Sequence, residues 1–177
     1  MMKKIIFAGF GGQGVLFAAK TLAYAGMDAG MQISWLPSYG PEMRGGTANC
    51  SVILSDKPIG SPVILQPDVL IAMNKPSLEK FENTVAPGGV IILDSFLIDQ
   101  KVKRDDVTVI YIPAKHLAEE AGKASLGNMV MLGAAVRHGE LIAPELLHKS
   151  IEEHTPAAKA ALADLNKKMI DIGYQFA

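Results

Sequence analysis

Short apolar runs bounded by glycine and proline alternate along this chain with segments whose apolar residues recur every three or four positions. Lys4–Ala8, ended by Gly9, predicts a first strand. From about Gly12 to Ala25 the spacing puts Val15, Ala18, Ala19 and Leu22 on one helical face, with Gly26 or Gly30 placed to close the helix. Gln32–Leu36 predicts a second strand, Pro37–Thr47 a long structured loop, and Ala48–Leu54 a third strand. No helix separates the second and third strands, so the sheet should be mixed, because parallel neighbours need a crossover. Val69–Met73, Val90–Leu93 and Val107–Ile112 are nearly continuous in apolar residues, as strands covered on both faces are. Pro87-Gly88-Gly89 marks the turn into the fifth strand, and Pro76–Thr84 predicts a short helix.

The last third predicts helices. Asn128–His138 is apolar nearly all round and stops at Gly139, which describes a buried helix. A shorter helix should start near Pro144. Thr155 then reads as an N-cap with Pro156 in the first turn of a final helix, whose stripe would be Ala158, Leu162, Leu165, Met169 and Ile172. The chain has no internal repeat or linker, so residues 1–177 are expected to form a single domain of the α/β class.

Two glycine-rich segments carry the candidate chemistry. Gly9-Phe10-Gly11-Gly12-Gln13-Gly14 fits G-x-G-x-x-G between a strand and a helix. Glycines there permit a tight turn and close backbone approach, while the free N–H groups at the helix start favour an anion. Phosphate is the obvious candidate. A nicotinamide dinucleotide would also call for an acid at the end of the second strand, where Ser34-Trp35-Leu36-Pro37 offers none. A packing role alone for the glycines remains open. The second segment, Ser38–Thr47, sets Tyr39, Glu42 and Arg44 among Gly40, Pro41, Gly45 and Gly46. Arg44 could pair with a phosphate or carboxylate with Glu42 orienting it, or the two could form a local ion pair that only orders the loop.

Composition narrows the reading. Hydrophobic residues make up 49% and charged residues 20%, which is a globular profile. A net charge of -1 without a basic cluster argues against nucleic-acid binding, and the apolar runs are too short for a membrane span. The start of the chain reads as a first strand and not as a signal peptide, so a cytoplasmic protein is expected. The single Cys50 excludes an internal disulfide and an iron–sulfur cluster ligated by this chain alone. Cys50 is expected to be a buried small hydrophobe. The four histidines are expected at the surface or as caps, Asp94 is a weaker site candidate, and Asn128 is expected to cap its helix, with reaching the ligand as the second reading.

Gly9–Gly14 (GFGGQG), Ser38–Asn49 (SYGPEMRGGTAN) and, more weakly, Gly127-Asn128-Met129 together resemble the gamma subunit of 2-oxoacid:ferredoxin oxidoreductases. The resemblance implies a three-layer α/β/α sandwich on a Rossmann-like, mixed, mostly parallel sheet. It implies oxidative decarboxylation of a 2-oxoacid, 2-oxoglutarate ahead of branched-chain acids, to an acyl-CoA. Partners would be alpha, beta and in some complexes delta subunits, with ferredoxin as acceptor, or a homodimer in isolation. Thiamine diphosphate and iron–sulfur clusters would lie on those partners, and coenzyme A would be the substrate approached by this chain. On that reading Gly9, Gly11, Gly12, Gln13, Gly14, Tyr39, Glu42, Arg44, Gly45 and Gly46 are the candidate binding residues, none of them catalytic and none a metal ligand. A freestanding nicotinamide-dependent oxidoreductase and a purely structural adaptor are the competing readings.

Overall fold

The computed structural model describes residues 1–39 and 46–176. Six strands form one sheet: β1 (Met2–Phe10), β2 (Gln32–Tyr39), β3 (Thr47–Ser55), β4 (Val69–Ala72), β5 (Val90–Asp94) and β6 (Thr108–Ile112). Their order is β2-β3-β1-β4-β5-β6. β1, β4, β5 and β6 are mutually parallel, whereas β3 runs antiparallel to both β1 and β2. The sheet is therefore mixed and mostly parallel, as the missing crossover between β2 and β3 predicts.

Side chains alternate across the sheet, so each strand feeds two cores. Ile5, Phe7, Val52, Leu54, Ile71 and Ile92 face the larger one. It is covered by α1 (Val15–Asp28), α3 (Ala114–Glu120), α4 (Gly127–His138), α5 (Pro144–His154) and α6 (Ala160–Gln175). Ile6, Ala8, Leu70, Ala72, Ile91 and Leu93 face the smaller core, covered by α2 (Lys75–Phe81), Ile98 and Val102. This is the three-layer α/β/α sandwich, with one thick helical layer and one thin. Among the described residues no helix is long and apolar enough to cross a membrane.

The expected helix Asn128–His138 is the central one. Every residue from Gly127 to Val136 is buried, because α4 lies between the sheet and α6. Gly133 packs directly on the Ile170 carbonyl of α6, and Gly173 on the Val130 carbonyl of α4. Neither site has room for a Cβ, so these glycines set the spacing of the two helices.

Three expectations need correction, and one helix was not foreseen. β2 continues through Pro37 to Tyr39 where a loop was expected; Pro37 is tolerated because β2 is an edge strand. α3 was not anticipated, being only seven residues long and lacking a side-chain cap. Thr155 is no N-cap: it ends α5 in extended conformation, and Pro156 precedes a 3-10 turn, Ala157–Lys159, so the final helix starts only at Ala160. Its buried stripe is consequently Ala163, Asn166, Met169, Ile170 and Gly173. Leu162, Leu165 and Ile172 pack at its flanks, and Ala158 is exposed.

Candidate functional site

The turn from β1 into α1 is held open by backbone geometry that glycine supplies. Gly12 and Gly14 have φ of 94° and 76°, in the left-handed region. A Cβ on Gly12 would meet nothing within 4 Å, so that residue faces open space. Gly9 is packed, because a Cβ there would lie 2.8 Å from both Gln13 and Val15. α1 begins with no side-chain cap, which leaves its first N–H groups without intrahelical partners.

Gln13 fastens this turn to the end of β4. Its Oε1 accepts from the Phe10 N–H at 2.7 Å and from Asn74 Nδ2 at 3.0 Å, and its Nε2 donates to the Met73 carbonyl at 3.0 Å. Oε1 is taken by those two donors and the Gln13 N–H is spent on the Phe10 carbonyl at 3.1 Å, so the donor Gln13 keeps for a ligand is the second Nε2 hydrogen. The flanks of the second glycine-rich segment converge on the same end of the sheet. The Gly11 N–H donates to the Gly46 carbonyl at 2.9 Å, and Tyr39 pairs with Ala48, which pairs in turn with Gly9. Tyr39 therefore stands two strands from Gly9, about 10 Å away at normal strand spacing, with its side chain exposed. Glu42, Arg44 and Gly45 lie outside the described residues.

A cavity of ≈ 260 Å³ opens beside Gly12, at the carboxyl ends of β1, β4 and β5. The connection after β1 places α1 on the thick helical layer and the one after β4 places α2 on the thin layer, which opens the crevice used by α/β sheets for ligands. Gly12, Gln13, Asp94, Lys115, Ser125 and Asn128 line it. Lys115 and Ser125 were not foreseen. The available signal was position: Lys115 follows the end of parallel strand β6 by three residues.

Asn128 does not cap its helix. It is the second residue of α4, and its Nδ2 reaches across to donate to the Gly14 carbonyl at 3.1 Å. This bond couples the starts of α1 and α4, two uncapped N-termini whose partial positive charges add. Asn128 is 6% exposed and its Oδ1 has no partner among the described residues. A buried acceptor left so costs about 1–3 kcal/mol, which a bound donor would recover.

Asp94, at the end of β5, is 3% exposed and accepts from the Phe96 N–H at 3.0 Å and the Lys115 N–H at 3.1 Å. Burial pushes its carboxyl above the ordinary carboxylate value, against the lowering effect of those amides and of the Lys115 charge. A carboxyl with a raised native pKa stabilises the fold fully below its unfolded value, about 3.9, and loses that contribution as pH rises through the native value. Asp94→Asn is therefore expected to gain stability relative to the parent as pH rises from about 3.5 to 7. Denaturant titrations at the two pH values check this; a stability difference independent of pH would refute it.

The other candidates carry no site chemistry. Cys50 is fully buried, and desolvation pushes its thiol up to about 12, away from nucleophilic use. His116 pairs with Glu120, His148 with Asp171 and His154 with Asp28, while His138 meets the Phe176 carbonyl. No group of three or more potential metal ligands occurs among the described residues.

The family model "pyruvate ferredoxin/flavodoxin oxidoreductase" matches residues 4–176. The chain is 39% identical over 174 residues to the ketoisovalerate oxidoreductase subunit VorA of Methanothermobacter thermautotrophicus, covering 98% of this chain and 36% of that one. It thus spans about a third of that relative's length. It is 35% identical to the 2-oxoglutarate synthase subunit KorC of Methanocaldococcus jannaschii, over 88% of this chain and 85% of the relative. A solved structure, the gamma subunit of a keto/oxoacid ferredoxin oxidoreductase from Geobacter sulfurreducens, superimposes with a TM-score of 0.83 at 30% identity, covering 99% of this chain and 98% of that one.

Proposed function

Because the chain belongs to the pyruvate ferredoxin/flavodoxin oxidoreductase family, we propose that it is the gamma-type subunit of a cytoplasmic 2-oxoacid:ferredoxin oxidoreductase and binds the anionic part of coenzyme A. The reaction joins a 2-oxoacid and coenzyme A, releases CO2 and a proton, and transfers two electrons to two oxidised ferredoxins. A single thiol, enclosed at Cys50, gives this chain no ligand set for an iron–sulfur cluster. Clusters and thiamine diphosphate therefore belong to the alpha, beta and delta chains in this reading.

The observation that carries it is the cavity beside Gly12, flanked by two helix N-termini and Lys115. At ≈ 260 Å³ it is below the usual range for a whole ligand, roughly 300–1,000 Å³, so it suits one charged end of a long molecule. Of the glycine-rich turn, Gly12 and Gln13 line the cavity; Gly9, Gly11, Gly14 and Gly46 enter the reading as residues that shape the turn behind them, and Tyr39, Glu42, Arg44 and Gly45 as binding residues on the motif alone. Exposed Trp35, Leu36 and Tyr39 on edge strand β2 provide apolar surface for a partner chain.

For the substrate we take 2-oxoglutarate, supported by the relative of like length, KorC. Branched-chain 2-ketoisovalerate is the second reading, favoured by the higher identity to VorA. The test is reconstitution. The purified chain with thiamine diphosphate, 2-oxoglutarate, coenzyme A and a viologen dye should reduce nothing, and activity should appear once its co-purifying subunits are added. Gly12→Asp, which puts a negative charge at the open position, should raise the KM for coenzyme A by about tenfold or more while the subunits still co-purify. An unchanged KM in the assembled variant would return the glycines to a packing role. Comparing turnover of 2-oxoglutarate, 2-ketoisovalerate and pyruvate decides the substrate.

A further inference from the structure

Charge thins out along one stretch of this chain. Residues 29–67 hold four charged side chains, Glu42, Arg44, Asp56 and Lys57, and strands β2 and β3 hold none, although charged residues make up 20% of the protein. The same stretch bares large apolar groups: Trp35, Leu36, Val63 at 60% and Leu65 at 80%. Register sets them around one edge of the sheet. Leu36 pairs with Ser51, which pairs with Ile6 of the smaller core, so Leu36 stands on the thin side with Ser34 and Ser38. Trp35 pairs with Val52 of the larger core and stands on the thick side with Tyr39. On the thin side α2 packs on β1 and β4, which leaves β2 outside its cover. Ile64 packs on the smaller core from that side, while Val63 and Leu65 on either side of it are exposed. Edge strands that stay in water carry charges, which keep other chains away. β2 has only Pro37.

We propose that edge strand β2, together with Val63 and Leu65, seats a permanent companion subunit whose contacting surface is likewise apolar and uncharged. That subunit clasps β2 from both faces with side chains and does not add a strand to the sheet. The proposal rests on the reading of this chain as one subunit of a complex, and it specifies the surface and the manner of contact. Permanent interfaces are apolar and poor in charge at their centre, with Trp and Tyr as anchors. A strongly charged partner would leave its own charges desolvated against β2 and β3, and a nucleic acid would need a basic surface here. This chain matches 36% of VorA, so in that relative the same unit is one part of a longer polypeptide, and its neighbour there is a fixed one. Pro37 has no N–H, so a strand added along β2 would lack a donor midway, whereas side chains on the two faces can pack without it.

The experiment measures association of the full chain with its co-purifying subunits. Trp35→Lys, Leu36→Lys and Leu65→Lys each place a charge at an exposed position, so each variant alone should melt close to the parent. Each should weaken association roughly 30-fold or more, the equivalent of the about 2 kcal/mol of a residue central to an interface. Leu65→Glu should do the same, because a charge of either sign must lose its water there. Ala158→Lys, exposed in the turn before α6, should associate as the parent does. Pro37→Val, which supplies the missing N–H, should bind no tighter. Association of the three lysine variants at the parent's affinity would overturn the proposal. Tighter binding by Pro37→Val would also overturn it, since the partner would then be adding a strand. So would an isolated parent that is a dimer split by Leu36→Lys and Leu65→Lys while association with the other subunits is unchanged, which would give the surface to a second copy of this chain. The underlying reading is judged separately: a parent that co-purifies with no subunit ends that reading, whereas a parent and lysine variants that all co-purify alike show only the surface to be wrong.

Discussion

Gly173→Val is expected to destabilise the protein by about 3 kcal/mol, at the upper end of overpacking costs, because the new Cβ meets backbone and not a side chain that could turn away. It would fall on the Val130 carbonyl oxygen, with the Val130 carbonyl carbon at 2.7 Å and the Ala134 nitrogen at 3.0 Å. The reciprocal site, Gly133, faces the Ile170 carbonyl in the same way. Relief requires α4 and α6 to move apart, and α4 is the helix whose every residue from Gly127 to Val136 is buried. Against a total stability of about 5–15 kcal/mol such a loss is large, and it should lower the melting temperature by roughly 6–12 °C. Gly60→Ala is the control, since a Cβ there meets nothing within 4 Å and its φ is not in the left-handed region. A Gly173→Val protein that melts with the Gly60→Ala control would show that the two helices are not in backbone contact.

The same contact shows what patterning can and cannot convey. Strands such as Val90–Asp94 were legible because their apolar residues are continuous and bounded by Gly88-Gly89. α4 was legible as buried because it is apolar on all sides. Its partner face on α6 was not. The close approach there is made at Gly173, and buried Asn166 lies on the same face; neither registers as hydrophobic, so the expected stripe caught buried Met169 but otherwise settled one step around the helix on Leu162, Leu165 and Ile172.

The candidate site divides along a similar line. The turn Gly9–Gly14 was readable because a local backbone requirement leaves a local mark in glycine. Asp94 could be noticed from its place at a strand end. Lys115 and Ser125 join the cavity only through the packing of α3 and α4 on the sheet, contacts that no stretch of neighbouring residues records. Asn128 was misread for a related reason. Asparagine at the start of the predicted helix suggests a cap, but the chain becomes helical at Gly127, one residue earlier, which frees the amide to reach Gly14.

That bond between Asn128 and Gly14 supports the second large effect expected, in Gly14→Ala. The left-handed φ of 76° costs an alanine about 1–2 kcal/mol, and its Cβ would crowd Asn128, with Cγ at 2.8 Å. Asn128 would have to leave the Gly14 carbonyl, so a buried hydrogen bond worth about 1 kcal/mol goes with it. Together the loss should be about 2–3 kcal/mol. The start of α4 should shift away from the start of α1, and the KM for coenzyme A in the assembled complex should rise by about tenfold or more, as two helix ends cease to act on one point. Asn128→Ala separates strain from contact. Alone it deletes the bond and leaves the turn intact. Combined with Gly14→Ala it removes the group that the new methyl strikes, so the double variant should be no less stable than Gly14→Ala by itself, a coupling that denaturant titration of the four proteins measures directly. Strictly additive losses would mean that the two residues do not meet, and the cavity would then lack the wall that joins its two helix ends.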